Sequence, residues 1–396
     1  LFSTFAAGQS PSGTVQQSQA LLDQIIADSQ KHAYLRTTQA NHPLRVAEAI
    51  AAGAAGDLGE YNDLMIEVIT RWARAGELSE AGYLAENLPA EGSARAHLEI
   101  AFAQFHNGHR DLAATHAAKA LETIEQARGR KAELLRTRYA ELLYVLNRAD
   151  EAKVVESRLS DLAQLELEAK LQVLKVRPVL NLTQAKERMA RCEDRGVDRV
   201  RTAFLLGCAD QQLREGHQKE GLELLQEAGR LATRDGLPSA QRALVDLARI
   251  AHAGGEFKEA DKAIKLYLEI LKTYAEAADW KAPYLAEALD LLLDWKGRED
   301  LVREWLKVAE AGLAKLFILD VPKSTLALAR IADRLEGAME GDRLVMQAAR
   351  AGRSHPHPRA QASAGVQICL HYADLGREIP VEILKVINPQ MEAAAN

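Results

Sequence analysis

The chain has 396 residues, 47% hydrophobic and 27% charged, with 5% aromatic residues and 11 prolines. That is apolar material enough for a large core, and too few aromatic and turn residues for a β-sandwich. The well-mixed charges, net −6, exclude a strongly basic nucleic-acid binder, and no apolar run approaches the ~20 residues that span a bilayer.

Residues 1–13 begin with an apolar stretch, Leu1 to Ala7, that gives way to a Gly/Ser/Pro segment. This fits the end of a secretory signal peptide, with Thr4 and Ala6 as small residues near a cut, and a cut or frayed terminus equally well. The first reading places the chain in a periplasm or outside the cell; the second is compatible with a cytoplasm. Thr14 to Ala40 is one long amphipathic pattern. Asn41-His42-Pro43 breaks it, and Leu44 to Ala55 continues with Val46, Ile50 and Ala51 on one side, so an N-terminal helix pair is expected. Gly53, Gly56 and Gly59 are closely spaced, but they lack the preceding strand and the Lys-Ser/Thr end of a phosphate loop, and read as an interhelical turn.

From about residue 62 one unit recurs. A turn residue stands at Gly76, Gly108, Asn147, Leu180, Gly216, Gly255 and Gly297, at spacings of 32 to 42. Five positions after each stands Ala81, Ala113, Ala152, Ala185, Gly221, Ala260 or Val302. Small residues recur where two helices approach closely, and a Gly between them supplies the left-handed backbone that ends the first helix. Apolar residues fill i, i+3, i+4 and i+7 on both sides, as in Leu98, Ala101, Phe102 and Phe105. Pro178 is expected to end or kink its first helix early. Beyond the best units, Ser324 to Leu335 and Asp342 to Ala351 read as a further pair. The loop 354–358, a helix from about Ala360 to Leu375 and a short helix to about Val386 follow. The chain therefore reads as all-α, one array over 14–387 with no linker inside it, best formed over 62–310, with degenerate capping helices and a tail at 388–396. Ends that stack on the array and ends that fold back across it both satisfy the pattern.

This register resembles the tetratricopeptide repeat family, best over Ala94 to Leu121 (Ile100-Ala101, Gly108, Ala113 and Lys119-Ala120-Leu121) and next over Gln241 to Leu268. The resemblance implies an α-solenoid of stacked helix–turn–helix units wound as a right-handed superhelix. Its first helices would line a concave groove that takes a protein or peptide. The longer spacings depart from the family's 34 residues, and the Lys/Asn set with which some members grip a terminal carboxylate is missing from the equivalent positions.

Motifs of catalysis or metal binding are absent: no HExxH, CxxC pair, GxSxG or calcium loop. Cys192, Cys208 and Cys369 lie among apolar neighbours and read as free, buried thiols. His106, His109 and His116 fall within eleven residues without a completing carboxylate, and read as surface or groove histidines; His355 and His357 read as exposed. No metal, cofactor or catalytic residue is assigned. The tripeptide Asn181-Leu182-Thr183 has the form of a glycosylation acceptor.

The groove register exposes Arg95, Leu98, Glu99, Phe102, Phe105 and His106 in one unit. In the next it exposes Arg138, Glu141 and Tyr144; then Asp210, Leu213 and Arg214; then Arg242, Val245, Asp246, Arg249 and His252. Phe102, Phe105 and Tyr144 would make an aromatic floor for an apolar peptide or amphipathic helix; the competing reading packs the two Phe between helices. Arg242 and Arg249, with Asp246 between them and Arg214 one unit away, suit an acidic motif or pair among themselves. The expected function is a non-catalytic scaffold that binds a protein partner through Phe102, Phe105, His106, Arg138, Tyr144, Arg214, Arg242, Asp246, Arg249 and His252. The alternatives are a structural subunit, or a homo-oligomer, that makes contact through its outer face or ends, and then a toroidal enzyme on carbohydrate, which would need two buried, shifted carboxylates in the groove.

Overall fold

The computed structural model describes residues 42–53, 58–126, 129–191, 198–234, 243–273, 281–313 and 321–388. The 1–13 start, the 14–40 pattern, Cys192, Arg242 and the chain beyond 388 lie outside them. Among the described residues there are 19 helices and no strand. They are α1 (Pro43–Gly53), α2 (Leu58–Arg74), α3 (Leu78–Glu86), α4 (Ala90–His106), α5 (Arg110–Gln126), α6 (Gly129–Val145), α7 (Ala149–Glu156), α8 (Asp161–Val173) and α9 (Leu182–Met189). They continue as α10 (Asp198–Arg214), α11 (Gln218–Arg234), α12 (Ala243–Ala253), α13 (Phe257–Thr273), α14 (Lys281–Leu293), α15 (Glu299–Leu313), α16 (Val321–Glu336), α17 (Ala338–Arg353), α18 (Pro358–Leu375) and α19 (Val381–Ile387).

The first helices end alike. At Gly108 (φ +85°) His109 N donates to Gln104 O at 2.9 Å and Gly108 N donates to Phe105 O at 3.0 Å. These two bonds satisfy carbonyls that the helix end would leave bare, and they need a left-handed residue between them. Gly76, Gly216 and Gly255 repeat the geometry, and Asn147 (φ 63°) adopts it with a side chain.

The fourth turn is not at Leu180. Lys175 (φ 57°) takes the left-handed position, and Val176 N donates to Leu171 O. Helix α8 ends at Val173, five residues before Pro178, and the loop 174–181 runs to α9. A loop needs partners for its carbonyls, and glutamine amides supply them. Gln172 donates to Pro178 O at 3.2 Å, Gln211 to Arg177 O at 3.0 Å and Gln212 to Leu180 O at 2.9 Å. Asn181 caps α9 in a reciprocal box with Gln184, which gives that tripeptide a structural role. A turn the register did not reveal lies at Gly337 (φ 98°), itself the N-cap of α17. The helix starts one residue sooner there, so the close approach falls at Gly341, where a Cβ would stand 2.9 Å from that of Asp333.

Burial separates two layers. Eleven residues of α10 are buried, on every side, whereas α5 buries only the stripe Ala113, Ala117, Ala120 and Ile124. The even-numbered helices α2 to α18 are the first helices, each packed on the next; α3 to α17 are the second helices, outside them. Approach is closest where side chains vanish: a Cβ on Gly207 of α10 would stand 2.7 Å from Ala169 O of α8. Likewise Gly221 and Gly254 make room for Leu213, which is therefore buried and not a groove residue.

The array closes. Helix α18 packs on α16 and also on α2, so the row of first helices returns to its start. The second-helix position beside α18 is filled by α1, which packs on α18 and then on α2, as α3 packs on α2 and then on α4. Leu44, Val46, Ala47 and Ala51 of α1 are buried in one core that runs on to Ile383. A buried polar knot holds α1 from the other side. Arg45 bonds Glu48 and Glu80, Trp72 Nε1 donates to Glu48 at 2.7 Å, and His42 stacks on Trp72 at 4.8 Å. The ninth unit is thus assembled from both described ends of the chain. Helix α19 lies against α17. A second core, from Ala94 to Leu171, fills the arc from α4 to α8.

Candidate functional site

Because the first helices form the inner layer, their unburied face is the concave surface. It holds a cleft of 500 Å³ that crosses α2, α4, α6 and α8. Its walls include Asp63 and Ile66, Arg95, Leu98 and Glu99, Leu134 and Arg138, and Lys170. Leu134 is 57% exposed there, a large apolar side chain open to solvent between charged ones.

Ion pairs lace successive first helices together across this face. Arg95 of α4 meets Asp63 of α2 at 2.5 Å. Arg138 of α6 grips both carboxylate oxygens of Glu99 of α4 at 3.1 Å, and its third nitrogen reaches Glu141 of its own helix at 2.9 Å. Lys170 of α8 reaches Glu141 at 3.3 Å. On the other side of α2 the lacing continues across the closure. Gln367 of α18 donates to Glu67 at 2.7 Å, and Asp374 of α18 accepts from Arg71 of α2 and Arg330 of α16. Arg334 of α16 then bonds Asp290 and Asp294 of α14 and its loop. In α10 and α12 the pairing stays within one helix: Arg214 with Asp210 at 2.8 Å and Arg249 with Asp246 at 2.7 Å.

The expected aromatic floor is corrected. Phe102 is only 6% exposed, and Arg138 lies over its ring at 3.5 Å, so a cation and not a partner covers it. Phe105 is half-buried against the same core, with the exposed His106 at its edge. Tyr144 leaves the groove altogether: its hydroxyl bonds Glu156 of α7, and Arg177 from the 174–181 loop stacks on its ring at 4.6 Å and bonds both groups. Burial and the Glu156 carboxylate push the phenol up to about 12. The groove-register residues Leu98 and Val245 are buried as well. His252 stacks flat on Trp295 at 4.6 Å and meets Phe257 edge-on. Of the ten residues expected to bind a partner, the structure brings Phe102 and Arg138 together at the cleft, with Phe105 and His106 further along α4. It sets Tyr144 apart, and places Arg214, Asp246, Arg249 and His252 on another arc.

Asp63, Ile66, Leu134 and Lys170 are among the cleft residues that escaped the sequence reading. Asp63 and Leu134 share with Arg95 the thirteenth position before the turn, a periodic signal present in the sequence. Lys170 lies five before Lys175, and the misplaced fourth turn hid it.

Two of the five histidines differ from expectation, while His106 and His109 are exposed as the sequence suggests. His116 is half-buried; its Nδ1 faces Nδ1 of the buried His97 at 3.1 Å, and burial pushes it down to about 4. His355 is buried, its Nδ1 accepting from His357 N at 3.0 Å, while His357 is exposed. Among the described residues no three His, Cys, Asp or Glu stand together as a metal set. Cys208 and Cys369 are free and buried, and burial raises both thiols. The inner-face acids Glu99, Glu141 and Asp210 are each bonded to an Arg or Lys. Glu48, which burial raises against the pull of Arg45, lies in the knot around α1 and not in the cleft.

No family model matches the sequence, and no curated protein matches it. Among solved structures the chain is similar to a "circular tandem repeat protein with novel repeat topology and enhanced subunit contact surfaces", at 14% identity over 97% of this chain and 93% of that one. The TM-score is 0.23, and at that value the likeness carries no argument. The all-α solenoid rests on the helices and their packing. Among the described residues no helix is long and apolar enough to cross a membrane.

Proposed function

We propose that the chain is a non-catalytic scaffold of tetratricopeptide-like units that holds a protein or peptide partner on its inner face, in the cleft across α2, α4, α6 and α8. The cleft carries this reading: exposed Leu134 offers an apolar anchor point, and beside it the Arg95–Asp63 pair is exposed on both sides while Lys170 is half-exposed. Exposed ion pairs contribute only ~0.2–1 kcal/mol each, so Arg95 can exchange the exposed Asp63 for a partner's carboxylate at little cost. Nine helix axes about 9 Å apart describe a circle about 26 Å across, and side chains reduce the opening to about 15 Å. A single helix or an extended segment fits that width, and a folded domain does not.

The test compares capture from native cells by the tagged wild type, by Leu134→Asp with Arg95→Glu, and by the outer-face change Val308→Asp. Loss of a stoichiometric partner with the first variant alone, both variants being folded by circular dichroism, supports the reading. Loss with Val308→Asp alone overturns it in favour of a structural subunit that works through its outer face, where Val308, Phe257 and Met339 are exposed.

A further inference from the structure

The seam where the array closes contains a second cavity, of 200 Å³, between α1, α17, α18 and α19. It exists because the residues that meet there are small. Ala49 of α1, Ala349 and Gly352 of α17 and Gly365 of α18 stand where larger side chains would fill the space, and Ile50 closes one wall against Gly365. One charged residue lines it, Arg353 at the end of α17, and it is exposed.

Three pairs of neighbouring second helices are bridged by a cation and an acid: Lys119 of α5 to Glu86 of α3, Lys186 of α9 to Glu227 of α11, and Arg343 of α17 to Glu310 of α15. At the α17–α1 gap no such bridge is present among the described residues. Helix α1 has a single carboxylate, Glu48, and Arg45 and Trp72 already hold it. Among the described residues Arg353 has no ion-pair partner. The seam therefore combines a recess walled by Ala49, Ile50, Ala349 and Ile368, with the polar Gln361 and Asn388 also in its lining, and a cation at its mouth that has no partner among the described residues.

We propose that this recess is a binding site for a small aliphatic carboxylate. Its chain lies among Ala49, Ile50, Ala349 and Gly365, and its head group accepts hydrogen bonds from the Arg353 guanidinium, which matches a carboxylate in a two-pronged fashion. A cavity of about 150 Å³ takes benzene, so 200 Å³ suits a chain of about six to eight carbons. The ligand supplies the acid that the described residues lack there and touches α1, α17 and α18 together, so it binds the closed array and stabilises closure by mass action. This site is independent of the inner cleft.

Titration of the full chain with octanoate, by calorimetry and by thermal unfolding, tests it, with octanol as the uncharged probe. Saturable octanoate binding with a raised Tm is expected. Arg353→Ala should weaken it about tenfold, and Ala362→Leu, which fills the cavity from α18 where Ala362 lines it, should abolish it. Equal binding of octanol and octanoate, no effect of Arg353→Ala, or no saturable binding to the wild type each overturns the proposal. Arg353→Ala alters an exposed side chain, so it remains informative where the cavity-filling variant misfolds.

Discussion

The α4–α5 unit and the α18–α1 unit solve one packing problem with different covalent connections. In the first, a tight turn at Gly108 delivers α5 onto α4. In the second no turn joins the partners, since α1 begins the described chain and α18 stands near its end, yet α1 occupies the same place and buries the same kind of stripe. The difference teaches that complementary faces define a unit here, and that the turn only raises the local concentration of the second helix. It also shows where tolerance differs: the covalent unit has a left-handed glycine and small alanines, the assembled unit a knot of Arg45, Glu48 and Trp72 and a cavity.

The comparison breaks most severely if the seam is only decorative. Leu44→Asp with Val46→Asp should cost about 4 kcal/mol or more, because two buried apolar groups become unpaired buried charges. Ala113→Asp with Ala117→Asp in α5 should cost as much. Urea midpoints measure both, and a seam penalty below about 1 kcal/mol would make the ninth unit an ornament.

Each region also holds a histidine that burial pushes to about 4, His116 in α5 and His371 in α18. The unfolded chain takes up protons below about 6.5 and the folded chain does not until about 4, so stability is lost as pH falls through that window. The loss should be about 2–3 kcal/mol per histidine. His116→Gln and His371→Gln should each remove one share of the slope, read from urea unfolding between pH 7 and pH 4.

A sharper contrast lies in two glycines. A Cβ on Gly207 meets the Ala169 carbonyl, rigid backbone, at 2.7 Å, whereas on Gly365 it meets the Ile50 side-chain end at 3.1 Å. Gly207→Ala should cost about 1–3 kcal/mol, while Gly365→Ala should stay within about 1 kcal/mol of wild type, because alanine favours the helix and Ile50 can move. Thermal midpoints check the order. Effects of similar size are expected at the turns: Lys175→Gly should stabilise by about 1 kcal/mol, and Gly108→Ala should cost a similar amount, since only glycine takes the left-handed region without strain.

Much of the fold was legible because it rests on local signals. Gly76, Gly108, Gly216 and Gly255 announce helix ends in any context, and Ala81, Ala113 and Ala260 announce close approach. The fourth turn was not legible: Leu180 lay at the expected spacing, while Lys175 carries no sequence mark of a left-handed residue. Its geometry is fixed by Gln172, Gln211 and Gln212, whose partners only the folded chain brings near. The aromatic floor failed for a related reason. Periodicity places Phe102 and Tyr144 on the groove side of their helices, but whether a ring meets solvent depends on Arg138 and Arg177, long side chains arriving from neighbouring segments. Closure could not be read either, because pairing of α1 with α18 is a contact between elements more than 300 positions apart.

An array whose ends have been joined has a fixed count. An open stack can gain or lose a unit at either end and leave every remaining junction as it was. The nine units of the described residues, which return to their start, must turn by about 40° each, and a tenth would require about 36° at every junction at once. Duplication or loss of a single unit, an ordinary event in the history of repeats, would leave this molecule with a gap or an overlap. Its size is therefore a property of the angle between neighbours, written once in each interface and enforced by all the others.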